Sequence, residues 1–235
     1  MIRAAAVAVL MAAMCFAEGA FAQRWSPQRN VEVIVPSSAG GSLDTTGRTI
    51  TRIWSDLKLL TVSSSISNRP GGGHAVAYNF LAQRAGDPHI MAVTSMTLLA
   101  NHITGHIPQT YTDFTPLSVL LTEYIAIAVR AESPLKTGKD LIDALRKAPN
   151  SLSLALSSAA GGTHHMSFAM PLLSGGVDVT KAKFVVFNSS GEAVTALLGG
   201  HVDVISAGTV QVAPFVTSGK LRVLAVSAPR RIGGE

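Results

Sequence analysis

Three short stretches of this chain place serines and glycines where backbone N–H groups could gather around one anion. The first is Ser37-Ser38-Ala39-Gly40-Gly41-Ser42, with Asp44 just beyond it. The second is Ser157-Ser158-Ala159-Ala160-Gly161-Gly162-Thr163, and the third is Asn188-Ser189-Ser190-Gly191-Glu192. Small side chains let the main chain turn sharply and leave its amides unobstructed. Where such a turn runs into a helix, the unpaired N–H groups of the first turn and the positive end of the dipole favour a carboxylate or phosphate. The plain alternative for each stretch is an ordinary β-to-α turn that holds nothing.

Other residue types offer less. His164 and His165 are adjacent, but neighbours on a helix diverge by about 100° and no third ligand stands at a matching spacing. A helix-start histidine facing a cleft or capping the turn outweighs a metal ligand there. Asp44 and Arg48 stand four apart, which suits a dipole and ion-pair role as well as a ligand-facing acceptor. His74 reads as cover for a helix N-terminus. Arg69 either brings a charge to the site or is a solvated loop residue. The chain carries no G-x-S-x-G elbow, P-loop, G-x-G-x-x-G or H-E-x-x-H. No base is spaced to activate one of the many serines, so catalysis is disfavoured and no cofactor or metal is expected.

The elements that must hold these turns follow from periodicity. Val31 to Val35 reads as a buried strand stopped by Pro36, and Leu43, Ile50, Ile53, Trp54 and Leu57 recur at helical spacing with Ser42 as N-cap. A second strand is read over Leu59 to Ile66, ended by the breakers Asn68-Arg69-Pro70-Gly71-Gly72-Gly73. A helix over His74 to Arg84 with Val76, Phe80 and Leu81 on one side comes next, then a strand over His89 to Thr94 and a helical stretch around Leu98 to His102. Leu117 to Val129 suits strands, and Arg130, Glu132, Ser133 and Pro134 then break the apolar run. Thr137 caps a helix with Leu141, Ile142 and Leu145. Strand, Ser/Gly turn and helix then repeat twice: Leu152 to Leu156 into Met166 to Leu173, and Phe184 to Phe187 into Ala193 to Leu198, which Gly199-Gly200 ends. Val202 to Ile205, a short helix Val210 to Ser218 and Leu221 to Val226 complete the pattern. Such alternation predicts an α/β fold with mostly parallel strands.

Arg3, the apolar run Ala4 to Ala17 and Ala20-Phe21-Ala22 form an export signal, cleaved after Ala22. Cys15, the one cysteine, lies inside it, and Met14 ahead of that cysteine argues against a lipid anchor. The mature chain therefore relies on burial rather than disulfides. The net charge of +5 favours an anionic ligand or acidic partner, while scattered basic residues and 6% aromatics disfavour nucleic acid. No later run is long enough to span a membrane.

Taken together, VIVPSSAGGSLD, SNRPGGG, YTDFTPLSVL, SSAAGGTHH, and FNSSGEAVTALLGGHVDV followed by SGKLRVLAV resemble the Bug-type solute receptors of tripartite tricarboxylate transporters. The likeness runs from Val31 to Arg231 in the family's order. It implies a two-lobed, type 2 periplasmic-binding-protein (Venus flytrap) fold. Residues 23–129 would form lobe 1, residues 130–226 lobe 2, and residues 227–235 a return towards lobe 1, with a hinge near Val129 and Val226. The family continues past Arg231 to finish lobe 1, so that lobe is expected to be incomplete here. The resemblance implies a periplasmic, monomeric receptor that captures a small organic acid and works with a membrane transporter or a sensor. It carries ligand-binding roles onto Ser37, Ser38, Ala39, Gly40, Gly41, Asp44, Ser95, Thr97, Ser158, Ala159, Gly161, Gly162, Thr163, His165, Asn188 and Ser189, with the amides of Ser38, Ala39 and Gly40 as donors. Gly162 stands where many members have serine, and Phe187-Asn188 replaces Tyr-Lys, which removes a phenol and a cation. The competing readings are a non-transporting remnant or interaction protein, and an exported serine hydrolase.

Overall fold

A computed structural model describes residues 25–157 and 159–232; the expected export signal, Ser158 and residues 233–235 lie outside them. The first strand, β1 (Val31–Val35), is almost wholly buried and runs through Pro36 into helix α1 (Ser42–Asp56). β2 (Ser64–Asn68) and β3 (Ile90–Ala92) flank β1, both parallel to it, giving a three-stranded sheet of order β2-β1-β3. Helices α2 (Ala75–Ala82) and α3 (Thr97–Ile103) belong to this unit. The second sheet contains β4 (Ile125–Arg130), β5 (Ser153–Ser157), β6 (Lys183–Phe187), β7 (Val204–Gly208) and β8 (Leu221–Ser227) in the order β6-β5-β7-β4-β8. β5 is parallel to β6 and β7, while β4 is antiparallel to β7 and β8. Its helices are α4 (Gly138–Lys147), α5 (Thr163–Ser174), α6 (Ser190–Leu198) and α7 (Thr209–Thr217).

The five-stranded unit holds most of the core. Alternate residues of a strand point to opposite faces, and β4 uses both. Ala126 and Ala128 pack with Ala193, Val194 and Leu197 of α6 and Val212 of α7. Ile127 and Val129 pack with Leu141 and Leu145 of α4 and Phe168 and Leu172 of α5. The three-stranded unit has a smaller cluster of Tyr78, Leu98 and Ile107.

Several sequence expectations shift. Leu59 is exposed and lies outside any strand, so the second strand begins at Ser64 instead. Gly41, not Ser42, is the N-cap of α1, and the seam of that helix centres on Gly47, where an added Cβ would lie 3.0 Å from Val35 Cγ2. Ile53 and Leu57 of the expected apolar stripe are exposed. On α2, Ala77 and Tyr78 face inward while Val76 is exposed. Residues 115–123 form no strand: Leu117, Val119, Leu120 and Leu121 are exposed, and only Ile125–Arg130 of the expected run pairs. Because that strand belongs to the five-stranded sheet, the chain crosses between the sheets before Ile125, not at the compositional break after Val129. Periodicity marks strands but cannot assign them to one sheet or another. None of the helices among the described residues is long and apolar enough to cross a membrane.

Candidate functional site

Parallel strands put their following turns at one end of the sheet, where α/β proteins build sites. The turn after β1 meets the turn after β6 there. Ser38 N–H donates to Asn188 O at 3.2 Å. Gly41 lies so close to the second turn that a Cβ on it would stand 3.2 Å from Ser189 Cβ, and one on Gly191 would stand 2.8 Å from Gly40 O. Ser42 Oγ donates to Gln211 Oε1 on α7 at 2.9 Å, tying the two units together again. A third junction joins the glycine turn before α2 to the turn after β5: a Cβ on Gly73 would sit 2.5 Å from Ala159 Cβ. A Cβ on Gly161 would stand 3.4 Å from Thr104 Cγ2, just after α3. The three Ser/Gly turns therefore meet along one seam between the sheets.

Within that seam several of the amides named from sequence already have internal partners. Ser38 N–H is held by Asn188 O, and Gly40 N–H donates to Asp44 Oδ2 at 2.9 Å. Gly161 N–H donates to His165 Nδ1 at 3.0 Å, and Gly162 N–H to Ala159 O. Asp44 positions this turn. Its buried carboxylate also accepts from Arg48 Nε at 2.8 Å and Asn68 Nδ2 at 2.9 Å. Burial opposes its ionisation, but the bonds from Arg48, Gly40 and Asn68 prevail and hold its pKa below the usual carboxylate value.

Other named side chains also cap or brace. Ser189 Oγ accepts from Glu192 N–H as the N-cap of α6, and Asn188 N–H donates to Glu192 Oε2. Ser95 Oγ bonds Thr97 Oγ1 at 3.1 Å and accepts from Thr97 N–H, at the same strand-end face as the β1 turn. Thr97 is buried. Ser37 is buried too, and its Oγ has no hydrogen-bond partner. Ala39 lies exposed at the tip of the first turn, and Thr163 opens α5. His165 packs edge-on against Phe184, 4.7 Å between centroids, and burial lowers its pKa. Ser158 falls outside the described residues. Arg69 neither reaches the seam nor stands free in solvent: it stacks over Phe80 at 3.5 Å and pairs with Glu32 at 3.7 Å.

Sequence reading missed three participants, Gln211, Glu123 and Asn101, and named a fourth, His74, as cover for a helix N-terminus. Gln211 follows the β7–α7 junction Gly208-Thr209, a fourth strand-to-helix turn that lacks a serine run. Glu123 crowds Gly208, where an added Cβ would overlap its Oε1; burial pushes its pKa up, and the nearby Ser42 hydroxyl offsets part of that. Asn101, fully buried, donates to Gly73 O at 2.6 Å. His74 is the N-cap of α2 at φ +83° without a side-chain cap bond. A hollow of about 550 Å³ lies on the five-stranded unit, between α4, α5 and strands β4 and β8; Thr163 is the one sequence-named residue on its wall.

Comparison with known proteins agrees with this architecture. The chain is 29% identical over 206 residues to the UPF0065 protein in the gbd 5' region of Cupriavidus necator, covering 87% of this chain and 61% of that protein. It is 25% identical to BugT of Bordetella pertussis, covering 87% and 62%. The chain thus spans about three fifths of the length of the curated relatives it matches. Among solved structures, one described as a periplasmic transporter superposes with a TM-score of 0.79 at 27% identity, over 88% of this chain and 68% of that one. MatC of Rhodopseudomonas palustris, solved with bound malate, gives 0.75 at 26% identity over 87% and 69%. A second R. palustris protein, solved with adipate, gives 0.77 at 27% over 87% and 68%. These neighbours share the two-sheet architecture of periplasmic binding proteins. Residues 55–233 match the tripartite tricarboxylate transporter family receptor, and the chain belongs to that family.

Proposed function

We propose that this protein is a periplasmic solute receptor that captures a small carboxylate between its two sheets and passes it to a membrane transporter or reports it to a sensor. The observation that carries the reading is the Ser38 N–H to Asn188 O bond, by which an amide from one unit meets an acceptor from the other. A guest carboxylate would take the place of that carbonyl, accepting from Ser38 and from the start of α6 as the units part and close again. In this reading residues 23–124 form one lobe and residues 125–227 the other, the export signal is removed after Ala22, the receptor is a monomer, and no reaction is catalysed. The malate and adipate held by two related structures support a di-acid as guest. Calorimetric titration with malate, succinate, adipate, citrate and acetate is expected to give saturable binding to at least one di-acid, weakened at least tenfold by Ser38→Pro, which removes the donor amide. Folded protein that responds to none would overturn the proposal.

A second reading is favoured by residues 115–123, which take part in no backbone–backbone hydrogen bond among the described residues while exposing Leu117, Val119, Leu120 and Leu121. An unpaired apolar segment is a template for strand addition. An interaction protein using it would melt cooperatively only with its partner strand bound; cooperative melting alone speaks for the receptor.

A further inference from the structure

Two buried histidines lie at the seam, one from each unit. His74 comes from the three-stranded unit, where the left-handed backbone at φ +83° turns its ring inward at the start of α2. His164 is the second residue of α5 in the five-stranded unit. The backbones that carry them are in contact, since Gly73 abuts Ala159. Residue His74 is 4% exposed and His164 7%, and each ring is in a different bind. His164 Nδ1 lies 2.6 Å from Ser157 Oγ, which also meets Ser190 Oγ at 3.2 Å. His74 Nδ1 is buried with no hydrogen-bond partner.

The groups around the pair offer little to stabilise a positive charge. Tyr78 from α2 meets the His74 ring edge-on, with centroids 6.2 Å apart. Asn101 from α3 is committed through its amide nitrogen to Gly73 O. Around His164 stand the hydroxyls of Ser157 from β5 and Ser190 from α6, and its neighbour His165 is turned to Gly161 N–H and Phe184. Among the described residues no carboxylate lies within ion-pair distance of His74, His164 or His165. A proton on one ring opposes a proton on the other.

We propose that His74 and His164 form an acid-sensitive seam: protonating the pair drives the three-stranded and five-stranded units apart and releases whatever is held between them. Burial lowers the pKa of both rings to about 4, and the charge of His164 adds to the effect on His74. At neutral pH both are uncharged and the seam stays shut. As pH falls below the ordinary imidazole value of about 6.5, the parted state binds more protons than the closed one, and this drive grows until the buried rings themselves titrate near 4. The inference uses the two-unit reading only in requiring that the units can part; it needs no guest.

Small-angle scattering across pH 7 to 3, with far-UV circular dichroism in parallel, tests it without ligand. The expected result is an expansion that develops as pH falls from about 6.5 to about 4, with unchanged helix signal. In the His74→Gln/His164→Gln variant the expansion should vanish or move down by more than about one pH unit. Equal expansion of variant and parent would assign the effect to carboxylates and overturn the proposal, as would a parent that stays compact. Should the variant fail to fold, histidine Cε1–H NMR titration of the parent decides. Two rings titrating between about pH 6.5 and 4 in step with the expansion support the seam; two rings titrating near pH 6.5 with no change in size refute it.

Discussion

Asp44 shows how one side chain can decide the state of a whole turn. Its carboxylate fixes Gly40, Arg48 and Asn68 at once, so the β1 turn is shaped before any guest arrives. Asp44→Ala leaves those donors unpaired and is expected to cost about 2 kcal/mol in urea unfolding. Because the folded pKa lies below the unfolded value, this contribution is fully present above the ordinary carboxylate range and is lost as pH falls through the folded pKa. The Asp44→Ala penalty should therefore shrink in acid, and a penalty unchanged with pH would contradict the assignment. Gly191 acts differently, since a methyl there would stand 2.8 Å from Gly40 O. Its backbone lies in helical α6, so Gly191→Ala should hold the melting temperature within about 5 °C while the Ser38 amide loses protection in hydrogen exchange. A Ser38 amide as protected as in the parent would show that the two turns need no close approach.

At the level of elements, the two units are held by different means. Helix α4 begins with a capping box, Thr137 Oγ1 accepting from Asp140 N–H and Asp140 accepting from Thr137 N–H. Thr137→Ala should lower stability by about 1 kcal/mol without altering ligand affinity, measured by urea unfolding and calorimetry on the same sample. Helix α1 has no such side-chain cap and depends on the Gly47 contact with β1 and on Asp44 reaching back to Gly40. The helix that follows the first Ser/Gly turn is thus fastened through the residues that shape the turn.

Across the whole molecule, burial is unequal. Two clusters sandwich the five-stranded sheet, whereas the three-stranded unit holds a cluster of three buried residues and exposes Ile53, Leu57, Leu59 and Ile103. Stability follows buried apolar area. Native-state hydrogen exchange should find the slowest amides in Ala126–Val129 and Leu154–Leu156, with β1 and β2 opening earlier and independently. Uniform protection of both sheets would contradict this ordering. The same inequality makes the three-stranded unit the one that moves when the His74–His164 seam is charged.

Most strands and helices in their succession along the chain, the three Ser/Gly turns and the capped α4 were legible because each rests on local periodicity or on residues within four positions of one another. The i, i+4 pairing of Asp44 with Arg48 was legible for the same reason. Tertiary structure alone decided that Ile125–Arg130 joins the second sheet, that Ser38 spends its amide on Asn188, and that His74 and His164 are both buried at the seam. Those groupings join residues ninety or more positions apart in the last case and far more in the second, where no spacing rule reaches. What brings them together is the closing of two sheets, and burial at that seam, not residue type, sets which amides and rings are left to bind or to titrate.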